Sequence, residues 1–261
     1  MVYSRIMPIP ASWEHDNVSV ILVRTLNPGN VGSIARIMKN MGFRSLKLVA
    51  VEMPEDQECQ MMAGRAFDLV EGARRFDSLS EAVDGEHVLF ATTSGRDRRQ
   101  RREAISPREA ARLIGEYSAK NRVGLVFGPE RSGLTEGQLA RCRFRVSIPS
   151  NPEYPVLNIA KAAAILLYEI TQLSSPPLRE RREQVSIAER ELFYEDLKKV
   201  LIEIGFLSQS NPDHIMNAIR GILDQPDLTQ RELRILRGIV GQMDWYVREG
   251  RLRSPKDILK P

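Results

Sequence analysis

Three stretches of the 261-residue chain gather residues able to hold and orient a polar ligand. The first, "NPGNVGSIARIMKNMGF" at positions 27–43, offers Asn27, Asn30 and Arg36 around two glycines ahead of Arg36. The second, "FGPERSGLT" at 127–135, offers Glu130 and Ser132. The third, "IPSNPEYPVLN" at 148–158, offers Asn151, Glu153 and Asn158. Glycine or proline in each stretch supplies the special backbone angles that a binding loop needs. A set of backbone amides, asparagine, arginine and glutamate suits binding and positioning rather than multi-step acid–base work. Plainer roles are open to each residue. Asn30 reads as the N-cap of the helix that follows, Asn158 as another N-cap, Glu130 as a cap or surface ion pair, and Arg36 as a solvated helix residue.

Several chemistries are missing. The chain has no G-x-x-x-x-G-K-[ST] phosphate loop, no G-x-G-x-x-G after its first apolar run and no G-x-S-x-G elbow. His15, His87 and His214 fall outside the three stretches, which disfavours a histidine triad or a zinc site. Cys59 and Cys142 stand in no metal or redox spacing, so neither a metal nor a disulfide framework is expected.

The elements that must position these loops alternate. Short, nearly continuous apolar runs at 18–23, 46–51, 87–93, 123–128 and 144–149 read as strands of a parallel sheet covered on both faces. Helical stretches lie between them. Ser106, Pro107 and Glu109 predict a capped start, and Thr135 with Gln138 repeats the device. The stretch 157–173, apolar nearly all round, predicts a buried helix. Strand–helix alternation of this kind means an α/β domain with a mainly parallel sheet and helices on both faces, over 1–173. Ligands of such sheets bind beyond the carboxyl ends of the strands, where all three loops fall. "SSPPLRERREQ", at 174–184, opens a linker over 174–185. Beyond it, 186–261 reads as a small all-helical extension with capping pairs Ser186–Glu189 and Thr229–Glu232 and a helix starting at Pro212.

Composition narrows the setting. A 42% hydrophobic content supports a real core. No apolar run approaches the ~18 residues of a membrane span, and no signal peptide is visible, so the expected location is cytoplasmic with no membrane partner. Net charge is only +4, but basic residues cluster at Arg96, Arg98, Arg99, Arg101 and Arg102 and again at 179–182. Such runs are either solvated faces or contacts to a phosphate backbone.

Taken together, "NPGNVGSIAR", "LVFGPERSGL" and "IPSNPEYPVLNIAKAAAILLYE" resemble the three motifs of the SPOUT superfamily of RNA ribose methyltransferases. The helical tail resembles the extension of TrmJ-type tRNA (cytidine/uridine-2'-O)-methyltransferases, so the likeness spans nearly the whole chain. It implies a C-terminal trefoil knot in the sheet, S-adenosylmethionine bound in that knot, tRNA as substrate, and a homodimer formed through the knot region. The modified nucleotide is expected to be a pyrimidine of the anticodon loop. Carried over by position, Thr93, Ser94, Gly95, Gly128, Ile148, Pro155, Val156 and Leu157 would line the cofactor pocket. Arg36 would be catalytic, with Asn30 and Glu130 orienting it and the ribose and Asn158 holding the third loop. The five arginines at 96–102 would contact tRNA. One departure stands out: the family commonly has Ser-Leu-Asn where this chain has Val156-Leu157-Asn158, and Pro155 offers no N–H.

An arginine side chain keeps its proton at neutral pH, which makes it a poor base. Arg36 is therefore expected to clamp the target phosphate and stabilise developing alkoxide charge. The competing reading is a catalytically silent RNA-binding protein on the same fold.

Overall fold

The computed structural model describes residues 15–52, 56–93, 104–172, 184–208, 210–224 and 228–249. Its chain divides into two units, Met1–Arg181 and Arg182–Pro261. In the first, the elements run β1 (Val18–Val23), α1 (Pro28–Asn40), β2 (Ser45–Val49), α2 (Gln57–Ala63), α3 (Phe67–Glu71), β3 (Arg74–Phe76) and α4 (Leu79–Val83). They continue with β4 (Val88–Thr93), α5 (Pro107–Ser118), β5 (Val123–Phe127), α6 (Glu136–Ala140), β6 (Phe144–Ser147) and α7 (Ile159–Thr171). The strands form one parallel sheet in the order β3-β2-β1-β5-β4-β6. Because the chain fills one side of β1 first and then the other, β1 and β5 become neighbours although they are far apart in sequence. The loops that follow β1, β5 and β6 consequently open on one edge of the sheet.

The expected strand at 46–51 stops at Val49, because Ala50 turns sharply with φ 47°. Arg24 does the same after β1 with φ 48°. Each first donates its N–H to the neighbouring strand, Arg24 to the Val49 carbonyl at 2.8 Å and Ala50 to the Phe76 carbonyl at 2.9 Å. Strand β3 has no apolar run to announce it, being a three-residue edge strand whose arginines are exposed.

On one face of the sheet Val20, Leu22, Phe90 and Leu125 pack with Ile34 and Met38 of α1, Tyr117 of α5, and Leu166 and Ile170 of α7. Phe90 and Phe144 stack there with ring centres 4.7 Å apart. α1 lies so close to α2 that a Cβ on Gly32 would sit 2.2 Å from the Cys59 carbonyl oxygen, so only glycine fits. Helix α7 is not buried all round, as its composition predicts. Lys161, Ile165, Tyr168 and Gln172 form an exposed stripe along it. Cys59 and Cys142 are free and buried.

Alternation along β2 turns Lys47 to the other face, where its ammonium is 2.7 Å from Glu86 and also donates to the Ala82 carbonyl at 2.7 Å. The pair is only 6% and 1% exposed, and the second Glu86 oxygen has no hydrogen-bond partner among the described residues.

The second unit comprises α8 (Ile187–Glu203), α9 (Pro212–Leu223) and α10 (Gln230–Glu249). Its core joins Phe193, Val200, Leu201, Met216, Leu233 and Val240. A polar cluster locks α8 to α9: Tyr194 donates to Asp224 at 2.7 Å, while Arg220 pairs with Glu191 and lies 4.3 Å over the Tyr194 ring. Among the described residues no helix is long and apolar enough to cross a membrane, and no group of side chains is arranged to hold a metal.

Removing one member of a buried ion pair strands the other charge, typically at a cost of about 3–5 kcal/mol. Glu86→Ala should therefore lower the melting temperature by roughly 6 °C or more, and Lys47→Met combined with Glu86→Leu should recover most of that loss. Thermal unfolding of the two variants checks this, and a single variant as stable as the parent would refute it.

Candidate active site

Asn27, not Asn30, caps α1. Its Oδ1 accepts the Asn30 N–H at 3.0 Å, with Pro28 in the first turn where its missing N–H costs nothing. The reading of Asn30 as the N-cap is thus corrected. Asn30 stands inside the first turn, which leaves its side chain for other work.

That side chain joins all three loops. Asn30 Nδ2 donates to Glu130 Oε1 at 2.8 Å, and Asn30 Oδ1 accepts from Asn158 Nδ2 at 2.9 Å. Glu130 also receives the Leu26 N–H on Oε2 at 3.1 Å and the Asn27 N–H on Oε1 at 3.4 Å. Asn158 completes the series as the N-cap of α7, its Oδ1 accepting from the Ala160 N–H at 2.8 Å and the Lys161 N–H at 3.4 Å. Both asparagine orientations follow from the ends of this series. A carboxylate only accepts, so Asn30 must turn its amide nitrogen towards Glu130 and its oxygen towards Asn158. The α7 N-terminus only donates, so Asn158 must turn its oxygen there.

Partial burial by itself pushes the Glu130 carboxyl up. The hydrogen bonds from the Asn30 side chain and the Leu26 and Asn27 N–H groups outweigh it, and the net shift is downward. Arg36 lies outside this series. It is exposed and six residues along α1 from Asn30, about 9 Å of helix rise. The carboxylate and amides bind the loops to one another, and not to Arg36 as the sequence led us to expect.

Beside this junction opens a cavity of about 340 Å³ lined by Thr93, Gly128, Ile148, Pro155, Val156 and Leu157, all expected at a cofactor pocket. Thr92, Leu134 and Leu139 line it too, and none of these was singled out from sequence. The available signal was their position, at the end of β4 and just after the second motif. Gly128 packs tightly against the turn that follows it. A Cβ on Gly128 would lie 2.5 Å from the Leu134 nitrogen, and the Gly133 N–H closes a turn onto the Pro129 carbonyl at 2.9 Å. In the third loop Ser150 Oγ donates to the Pro155 carbonyl at 2.7 Å, and the Glu153 N–H to Asn151 Oδ1 at 3.0 Å. Ser94, Gly95 and the arginines 96, 98, 99, 101 and 102 lie outside the described residues.

Because the folded pKa of Glu130 is depressed, its contribution to stability is fully present above the unfolded carboxyl value of ~4.3 and is lost as pH falls through the lower folded value. The melting-temperature gap between the parent and Glu130→Gln should therefore be widest above about pH 5 and should close in more acid buffer. A gap of constant size across an acid titration followed by thermal unfolding would contradict an ionised anchor.

Comparison with known proteins agrees with the geometry. Residues 17–168 match the SpoU rRNA Methylase family, and residues 188–255 match the C-terminal domain of the tRNA methyltransferase TrmJ. A tRNA (cytidine/uridine/adenosine-2'-O-)-methyltransferase TrmJ of Pseudomonas aeruginosa (strain UCBPP-PA14) is 39% identical over 239 residues, spanning 86% of this chain and 93% of its own. A tRNA (cytidine/uridine-2'-O-)-methyltransferase TrmJ of Pectobacterium atrosepticum is 34% identical over 234 residues, spanning 87% and 97%. Among solved structures, the crystal structure of TrmJ from Z. mobilis ZM4 superposes with a TM-score of 0.76 at 30% identity, over 87% of this chain and 98% of that one. With the family match covering more than half its length and the tail matching as well, the chain belongs to the SpoU rRNA methylase family, among members that carry a TrmJ C-terminal domain.

Proposed function

We propose that the protein is an S-adenosylmethionine-dependent tRNA ribose 2'-O-methyltransferase acting on a pyrimidine of the anticodon loop in the cytoplasm. The observation that carries this reading is the junction of the Asn30–Glu130–Asn158 series with a cavity of about 340 Å³ at the carboxyl edge of a parallel sheet. Support comes also from the relatives, whose names give tRNA cytidine and uridine 2'-oxygens as their sites of action, with adenosine added in the Pseudomonas aeruginosa protein.

The cavity is suited to a bent nucleoside. Its lining offers polar side chains at Thr93, Glu130 and Ser132, and Ile148, Val156 and Leu157 offer apolar surface. Thr93, Gly128, Ile148, Pro155, Val156 and Leu157 hold the cofactor in this reading, with Ser94 and Gly95 completing the set. When bound, S-adenosylmethionine supplies an electrophilic methyl group on sulfur. The protein's part is to align the ribose hydroxyl with that methyl, which is mainly a matter of orientation. Glu130, Asn30 and Asn158 set the relative positions of the loops. Arg36 clamps the target phosphate and stabilises charge growing on the ribose oxygen, and the proton leaves late to solvent.

A second copy of the chain covers the exposed stripe of α7, and the basic run at 96–102 contacts tRNA. The C-terminal part of the sheet is threaded into a trefoil knot in this reading, as membership of the family leads one to expect.

Incubation with unmodified tRNA and labelled S-adenosylmethionine, followed by digestion to nucleosides, should yield 2'-O-methylated pyrimidine nucleoside. Binding of cofactor and tRNA without transfer would establish the silent RNA-binding reading instead. Arg36→Ala should reduce transfer by roughly 100-fold or more while leaving cofactor affinity nearly intact; an active variant would refute the role of Arg36.

A further inference from the structure

Three of the large apolar side chains exposed in the first unit stand on the loops of the candidate site, apart from those on α2 (Met61, Met62) and on the α7 stripe (Ile165, Tyr168). Leu26 on the first loop is 65% exposed, and Tyr154 and Val156 on the third are 84% and 44% exposed. The loops that carry these residues are joined by the same hydrogen-bonded series. The Leu26 N–H is held by Glu130, Glu130 by Asn30, and Asn30 by Asn158, two residues beyond Val156. Tyr154 is the outermost of them, yet its backbone is fixed. Its N–H donates to the Asn151 carbonyl at 2.9 Å, the preceding Glu153 N–H donates to Asn151 Oδ1, and prolines 152 and 155 restrict the chain on either side. A solvent-facing aromatic ring on a stiffened turn, next to Pro155 in the cavity wall, loses little entropy when a flat partner covers it.

Resting on the methyltransferase reading above, we infer that Tyr154 is a substrate-binding residue whose ring stacks on a nucleobase of the RNA at the reacting nucleotide, with Leu26 and Val156 forming an apolar lip beside it. The polar series faces the ribose and phosphate, while the lip takes the base. Stacking on a ring face reads no hydrogen-bonding edge, so this contact orients the nucleotide while discriminating weakly among bases. Val156 fits that role better than a hydroxyl side chain would, which gives the departure from the family's usual serine a use in this chain.

The test measures kcat/KM for unmodified tRNA, the affinity for S-adenosylmethionine and the oligomeric state, using the full chain. Tyr154→Ala should lower kcat/KM on the order of 10-fold or more, chiefly through KM, with cofactor affinity and oligomeric state unchanged. Tyr154→Phe, which keeps the ring and loses the hydroxyl, should recover most of the loss. A tRNA with an abasic ribose at the methylated position should bring the parent down to the level of Tyr154→Ala, and the variant should fall no further on it. Tyr154→Ala within twofold of the parent, or an additional loss on the abasic substrate, would overturn the stacking role while leaving the methyltransferase reading in place. Dissociation of subunits in Tyr154→Ala would overturn it in favour of a contact between copies. A parent protein that transfers no methyl group to any ribose would overturn both readings together.

Discussion

Glu130 receives two backbone N–H groups from the first loop and the amide of Asn30, and through Asn30 it reaches the cap of α7. Three segments, the first of them a hundred residues or more before the other two, thereby acquire fixed distances from one another. Hydrogen bonds to a charged acceptor are stronger than neutral ones, and this acceptor is half-buried, where water competes less. The sheet order makes such a bridge feasible by laying β5 against β1, so that their outgoing loops emerge side by side. Without the carboxylate the loop after β1 would retain its helix cap at Asn27 but lose its tie to the rest of the site.

Much of the scaffold was legible in local sequence. Continuous apolar runs mark β1, β4 and β5 because strands buried on both faces need nothing else. The pairs Thr135–Gln138 and Ser186–Glu189 mark helix starts because capping boxes are contacts of near neighbours, and both are complete in the structure. What sequence hid was either too short or too distant. The strand at 74–76 is an exposed edge with arginines in it, so no pattern distinguishes it from a turn. The bonds from Glu130 to Leu26 and Asn30 connect residues that no periodicity relates.

The cap of α1 is a subtler case. Both Asn27 and Asn30 are competent caps, and the choice between them lay in Pro28. Proline favours the first helical position, which makes the residue before it the cap. Helix α7 misled for the opposite reason. Its alanines, leucines and isoleucines lie all round, yet one stripe faces outward. Apolar composition reports that a surface avoids water and says nothing of whether the covering surface comes from the same chain. Thr93, Gly128, Ile148, Pro155, Val156 and Leu157, carried over from the family resemblance, line the cavity, but of these only Gly128 and Pro155 are residue types that stand out in the sequence by themselves.

The two cysteines offer a different kind of consequence. Cys59 and Cys142 are fully enclosed in the first unit, and burial, together with the nearby Asp56 charge, pushes the Cys59 thiol up to about 11. Thiol-directed reagents attack the exposed thiolate, a form that Cys59 scarcely populates near neutral pH. Burial of both thiols should thus slow their reaction with maleimides and similar probes in the native fold. A cysteine introduced at a solvent-facing position would be the most exposed thiol among the described residues, so a fluorophore or spin label can be attached without first removing the natural pair.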